Sequence, residues 1–472
     1  MNLDLSSVDR EILWKHLQIH VESFYASTEQ LEVAPELNQQ QVQEYIHQSA
    51  RSVSSPLDAL EHVVEGMTRF AVHTPHPHYF GLFNPRAAFM GVVADTLTAA
   101  FNPQLAAWSH APFAVEVESY LIQEFGLRFG YRREEIDGVF TTGGAEANLT
   151  AVQLALTNRF PKHYQNGLIG IAKRPIIYTS SESHHSVVKA ARVAGLGADS
   201  VKEIVVDKQF RMNVSELDRQ IKDDIEQGHE PFMVVATGGT TGVGAIDPID
   251  EIAELCHQHD LWLHLDTAYG GAVVLAESTK HLLTGLGRTD SITFDAHKWL
   301  SMPMSTSLLL TRQPDLLSRT FGVNTDYMPK DAAGMTVTDP FTHSIQWSRR
   351  FSGLKLYLTL LVVGREGFAA LVCQQIQLGD ELRNLLTSHD WVINNQTELP
   401  IICFTDPRWE ADRDFIPFVC REVVSSGQAW LSTYPMGDTM TLRACITNYA
   451  TTKKDLVQLV ELLNQIRNQY KS

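Results

Sequence analysis

From about residue 137 the chain alternates short β-rich runs with runs of helical spacing, and no other feature constrains its fold as tightly. The runs 138–141, 175–179, 203–206, 232–236, 261–265, 291–294 and 307–310 each end in loops of Gly, Ser, Thr and Asp. Between them, 145–158, 185–194, 214–226 and 249–259 place apolar residues three and four apart. Parallel strands need long crossover connections, which helices supply, so this pattern predicts an α/β fold with a mostly parallel seven-stranded sheet.

The flanks read differently. Residues 1 to about 75 are helical with polar faces, and Ile12, Leu13, Leu17, Val21 and Phe24 form an apolar stripe that needs a second surface to cover it. After a helix near 352–367 come a strand at 398–404, a helix at 414–426, a strand at 439–445 and a terminal amphipathic helix, a smaller α+β unit. The expected division is an amino-terminal helical segment (1–88), a large domain (89–365) and a small carboxyl-terminal domain (366–472). Residues 321–344 lack periodicity, and a loop of that length inside a compact domain is usually functional or disordered.

Composition narrows the function classes. With 38 Lys and Arg against 55 Asp and Glu, the net charge is −17, and no basic cluster suits nucleic acid or an anionic membrane surface. The longest apolar stretch, near 356–363, falls short of the ~20 residues of a membrane span. The amino terminus lacks the pattern of a secretory signal, so a cytoplasmic location is expected. Five scattered cysteines fit neither a disulfide framework nor a metal site, and no metal is expected.

Three segments sit at the carboxyl ends of predicted strands, where open parallel sheets bind ligands. In Phe140-Thr141-Thr142-Gly143-Gly144-Ala145-Glu146-Ala147-Asn148 a strand runs through a Gly pair into a helix, whose free N–H groups favour an anion. The bland reading is a tight turn that needs small residues. In Leu261–Gly271 an apolar strand ends at Asp266, which would hold a protonated ring nitrogen, bind a metal or cap a turn. In Ser291–Trp299 a strand ends at His297-Lys298, either an amine nucleophile or a surface lysine. Taken as one set, an anion site, a carboxylate and a lysine match the phosphate, ring nitrogen and aldehyde of pyridoxal 5'-phosphate.

These motifs resemble the group II pyridoxal-phosphate-dependent amino-acid decarboxylases, which include aromatic-amino-acid, glutamate and diaminobutyrate decarboxylases. The resemblance spans about 75–450 and includes His76-Pro77-His78-Tyr79-Phe80-Gly81, Gly143-Gly144, Ser183-His184-His185-Ser186-Val187, Thr237-Gly238-Gly239-Thr240-Thr241-Gly242, Asp266-Thr267-Ala268-Tyr269 and Asp295-Ala296-His297-Lys298-Trp299. It implies an aspartate-aminotransferase-like fold and a homodimer with active sites at the interface. It makes Lys298 the Schiff-base lysine, Asp266 the partner of the pyridinium nitrogen, and His185 and Ala268 the groups on the two ring faces. Gly143, Gly144 and Ala145 would contact the phosphate with help from His297, and Thr241 would lie near the ring substituents. Leu82, Phe83, Asn84 and Gln104 would line the substrate region.

One position departs from the family. Counting back from Arg349-Arg350-Phe351 to the loop tyrosine that protonates Cα after CO2 leaves reaches Pro340 and Phe341. Phe cannot donate a proton. In some relatives a Phe there accompanies an aldehyde synthase, which converts the amino acid with dioxygen to aldehyde, ammonia and CO2. Tyr327 or His343 in the same loop are alternative donors. The expectation is a decarboxylase of an L-amino acid, with an aldehyde synthase, or another lyase or transaminase, as alternatives.

Overall fold

The computed structural model of the 472-residue chain describes residues 3–49, 54–323 and 337–471. They divide into two compact units: residues 87–380 with 395–401, and residues 1–86 with 381–394 and 402–472.

The larger unit is built on seven strands: β1 (Asp137–Thr141), β2 (Pro175–Ser180), β3 (Val201–Ile204), β4 (Glu230–Thr237), β5 (Trp262–Asp266), β6 (Ser291–Asp295) and β7 (Ser307–Thr311). They lie in the order β1-β7-β6-β5-β4-β2-β3, with only β7 antiparallel to its neighbours. β5, β6 and β7 are buried at every residue, with apolar side chains on one face of β5 and β6 and polar ones on the other. The helix Gly144–Arg159 lies against the sheet. Its Ala147, Ala151 and Ala155, one turn apart and fully buried, let it pack closely in a core with Val139, Ile177 and Phe232. Thr141 and Asp295 both register with Ser307 of β7, so the ends of β1 and β6 meet at one edge of the sheet.

The smaller unit contains a four-stranded sheet of order β10-β11-β9-β8, from β8 (Val392–Ile393), β9 (Ile401–Thr405), β10 (Ser432–Met436) and β11 (Thr439–Cys445). The sequence pattern picked out β9 and β11 alone; β8 is two residues long, and β10 carries Pro435 among polar residues. The expected division is 1–88, 89–365 and 366–472; by contacts, residues 1–86 group with 381–394 and 402–472. Hydrogen bonds explain it. Asn448 Nδ2 donates to the Pro75 and His76 carbonyls at 3.0 Å, Thr451 Oγ1 to Pro77, and the Cys445 N–H to Phe80.

The helix Ser7–Ser27 has no fully buried residue: Leu13, Val21 and Phe24 of its stripe are half-buried, and Ile12 and Leu17 are exposed within the described chain. A metal was not expected; among the described residues the ligand atoms of His16, His20 and Glu61 lie within 4.8 Å of one another, with Glu61 Oε1 2.8 Å from His20 Nε2.

The expected helix near 352–367 runs instead as Gly353–Ser388, bent at Gly364, whose φ is 66°. By length and composition alone it is apolar enough to cross a membrane, where the sequence reading found no stretch long enough; 22% of its most apolar window is buried.

Candidate active site

The site is assembled at the carboxyl ends of β1, β4, β5 and β6. The helix Gly144–Arg159 starts at Gly143 without a side-chain cap, which leaves its first N–H groups for an anion. A Cβ on Gly144 would stand 3.0 Å from Asp295 Oδ2 and 3.4 Å from Ala268 Cβ, so a side chain there would press on the Asp295 carboxylate. Gly143 faces His297, and Ala145 is exposed in the first turn.

Lys298 follows β6, and its Nζ lies 3.1 Å from Asp295 Oδ2. Asp295 is buried, and its other oxygen accepts a hydrogen bond from Ser307 Oγ. His297 Nε2 stands 3.7 Å from Asp295 while its Nδ1 lies 3.0 Å from the Thr306 carbonyl; burial pushes its pKa down, so the ring favours the neutral form. The lysine amine is thus held beside one carboxylate, at the edge of the glycine cradle.

Asp266 ends β5. Its Oδ1 accepts from the Ala268 N–H at 3.0 Å and its Oδ2 from Asn148 Nδ2 at 2.8 Å. The same Asn148 amide donates to Ser186 Oγ at 2.8 Å, tying Asp266 to the turn that carries His185. His185 is exposed and precedes the helix Ser186–Val193. Ser183 Oγ lies 3.2 Å from Thr237 Oγ1, and the Gly238 N–H donates to the Asp266 carbonyl, so the 237–242 turn joins the same cluster with Thr241 half-buried on it.

The structure therefore gathers Gly143, Gly144, Ala268, His297, Lys298 and Asp266 at one sheet edge, with Ala145, His185 and Thr241 on turns that join it. Sequence reasoning assigned no role to Asp295, Asn148 or Ser186. All three lay inside quoted motifs, but their partners are remote in sequence. Leu82, Phe83 and Asn84 belong to the smaller unit. There Tyr79 Oη donates to Asn84 and accepts from the Leu82 N–H, both at 3.2 Å, and the Arg443 guanidinium lies 5.3 Å from the Phe83 ring centroid.

Gln104, Phe341 and His343, expected in the substrate region, form a group of their own in this chain. The Phe341 N–H donates to the Ala106 carbonyl and its ring packs tilted against Trp347; Gln104 Nε2 donates to Ser348 Oγ at 3.0 Å. His343 Nε2 lies 3.4 Å from Asp137 Oδ2, at the amino end of β1 and so at the opposite edge of the sheet. Segment 104–108 pairs with 339–349, and that pairing fixes all three. Tyr327 lies outside the described residues.

The "pyridoxal-dependent decarboxylase conserved domain" family matches residues 35–406. This chain belongs to that family. It is 31% identical over 418 residues to the aromatic-L-amino-acid decarboxylase of Bacillus atrophaeus, covering 86% of this chain and 84% of that protein. It is 30% identical over 394 residues to the acidic amino acid decarboxylase of Mus musculus, covering 83% and 70%. Among solved structures, Oryza sativa TDC with PLP and tryptamine aligns over 100% of both chains with a TM-score of 0.93 at 21% identity, a likeness of fold. The protein is a pyridoxal-phosphate-dependent amino-acid decarboxylase, and its cofactor is pyridoxal 5'-phosphate. The residues present fit that group: an uncapped helix start beside a glycine that a Cβ would obstruct, an amine at the strand end, and a carboxylate whose donors are neutral amides.

Proposed function

We propose that the protein removes CO2 from an L-amino acid and releases the amine, working as a homodimer. The observation that carries this reading is the pairing of Lys298, held by Asp295, with Asp266, held by Asn148 and the Ala268 N–H, at one sheet edge. Bound pyridoxal phosphate supplies an electron sink for the bond broken at Cα. The chain's own residues do the rest. Lys298 Nζ would hold the cofactor's aldehyde end, with Asp295 keeping the lysine amine at the cradle. Asp266 would accept a hydrogen bond from the protonated ring nitrogen, His185 would cover a ring face, and the N–H groups of Gly144 and Ala145 would hold the phosphate.

The dimer is supported by uncovered apolar surface. Besides the helix Ser7–Ser27, Leu361 and Val362 are more than 60% exposed, and an apolar cavity of about 550 Å³ opens beside Phe101, Phe113 and Leu361. A monomer seldom leaves so much apolar surface in water. In a dimer the loop before Arg349 would serve the second subunit's site.

Phe341 favours a second reading, the aldehyde synthase. Its phenyl group is buried against Trp347 and offers no proton to Cα. The relatives do not choose a substrate, since one is named for aromatic and another for acidic amino acids. Products from a panel of amino acids, analysed under air and under nitrogen, test both readings. Amine formed equally under both gases supports the decarboxylase. Aldehyde, ammonia and peroxide formed only under air support the synthase, and CO2 from no substrate sinks both.

A further inference from the structure

One face of β5 and β6 carries a buried polar ladder. Trp262, His264 and Asp266 alternate along β5, and Ser291 and Thr293 stand opposite His264 and Asp266 on β6. All five side chains are buried, as is Asn148, which reaches them from the helix Gly144–Arg159.

The ladder has a single direction. The Trp262 indole can only donate, and its Nε1 donates to Ser291 Oγ at 2.9 Å. Ser291 Oγ lies 2.8 Å from His264 Nδ1, and the Asn148 carbonyl beside Nε2 makes Nδ1 the acceptor of the Ser291 hydrogen. With Nδ1 accepting, the imidazole carries its proton on Nε2, which donates to Asn148 Oδ1 at 3.0 Å. Thr293 Oγ1 donates to the same oxygen at 2.8 Å. The Asn148 carbonyl is committed to these two donors, so its amide hydrogens face Asp266 Oδ2 and Ser186 Oγ.

We propose that His264 is a positioning residue for the cofactor: as the Nε2–H tautomer it locks the orientation of Asn148 and keeps Asp266 an anion aimed at the ring nitrogen. This rests on the reading that Asp266 receives that nitrogen. Burial lowers the His264 pKa to about 4, so the ring is neutral across the working range and its tautomer is set by hydrogen bonds alone. Losing the Nε2–H frees the Asn148 amide to turn its oxygen toward the Asp266 carboxylate, which costs Asp266 a donor and adds a repulsion.

The test uses the holoenzyme, comparing His264→Leu with His264→Gln, whose amide nitrogen reaches the place of Nε2. The Leu variant is expected to bind pyridoxal phosphate about tenfold more weakly, the effect of one charge-assisted hydrogen bond. Its visible cofactor band should change its pH dependence, and kcat should fall with KM for the amino acid unchanged. The Gln variant should recover affinity and spectrum. A folded Leu variant with wild-type affinity and spectrum, or a Gln variant no better than Leu, overturns the proposal. Should His264→Leu fail to fold, Ser291→Ala carries the test. It removes the donor that fixes the tautomer and, with it, the acceptor of the Trp262 N–H, so a smaller loss of affinity in the same direction is expected, and wild-type affinity and spectrum overturn the proposal. A wild-type protein that gains no visible band with the cofactor, or keeps the band in Lys298→Ala, instead refutes the underlying site reading.

Discussion

The ends of β5 and β6 lie side by side, and each terminates in a buried aspartate, yet the two carboxylates are surrounded in opposite ways. Asp266 accepts from neutral donors, the Asn148 amide and the Ala268 N–H. Asp295 lies beside an ammonium, Lys298, and an imidazole, His297, and accepts from Ser307. A carboxylate held by neutral amides keeps its charge available to an incoming cation, whereas one already beside an ammonium acts as an internal counter-ion. Residue type and strand position are the same, and the partners alone separate a ring-nitrogen acceptor from a lysine holder.

The largest expected effect comes from the lysine that only one of the two carboxylates holds. Lys298→Ala should lower CO2 release by at least about 10³-fold and abolish the visible cofactor band, checked by gas evolution and absorbance. Next, Asp266→Asn should lower kcat by about 10²-fold, since it removes the charge that favours a protonated ring nitrogen. Asp295→Asn should cost less, about tenfold, and should act mainly on the rate of cofactor attachment in stopped-flow absorbance. Equal losses in kcat for the two variants would break the contrast between the strand ends. Ser307→Ala removes one neutral donor from Asp295 and should lower stability by about 1 kcal/mol with little change in kcat, read from denaturant midpoints.

The smallest effect sharpens the contrast from outside the site. His78 and Asp455 form an ion pair at 2.9 Å in the smaller unit. Burial opposes both shifts, but hydrogen bonds to Asp455 and the Gln428 carbonyl raise the His78 pKa above its ordinary 6.5, and hydrogen bonds from His78 and Thr452 lower that of Asp455 from 3.8 to about 2. The His78 share of stability is complete below pH 6.5 and is lost as pH rises through the raised value. The Asp455 share is complete above pH 3.8 and is lost as pH falls toward 2. Asp455→Asn should therefore cost stability most between about pH 4 and 6.5, by about 1 kcal/mol for a partly exposed pair, and the gap in Tm should narrow at higher pH. Unchanged kcat is expected at every pH.

Much of the fold was legible in the residues. All seven strands of the large sheet fall within a few residues of the runs expected, because strands buried on both faces carry a dense apolar signal that needs no partner to be recognised. Gly143, Gly144, Asp266 and Lys298 stand out because each sits at a strand end, in a motif of adjacent residues. The strands β8 and β10 were not visible, being short or polar, and they pair only because β9 and β11 offer them edges.

The order of elements and the types of residue at the strand ends were thus determined by sequence alone, since hydrophobic period and turn chemistry act over a few neighbours. The tertiary structure decided which residues became partners. Asn148 lies 116 residues from His264 and 118 from Asp266, and only strand register and the close packing of an alanine-rich helix bring them within 3.0 Å. The same physics moved His343 to the amino end of β1, where Asp137 holds it. A hydrogen bond requires a few ångströms and a direction, and neither is fixed until the backbone on both sides is in place.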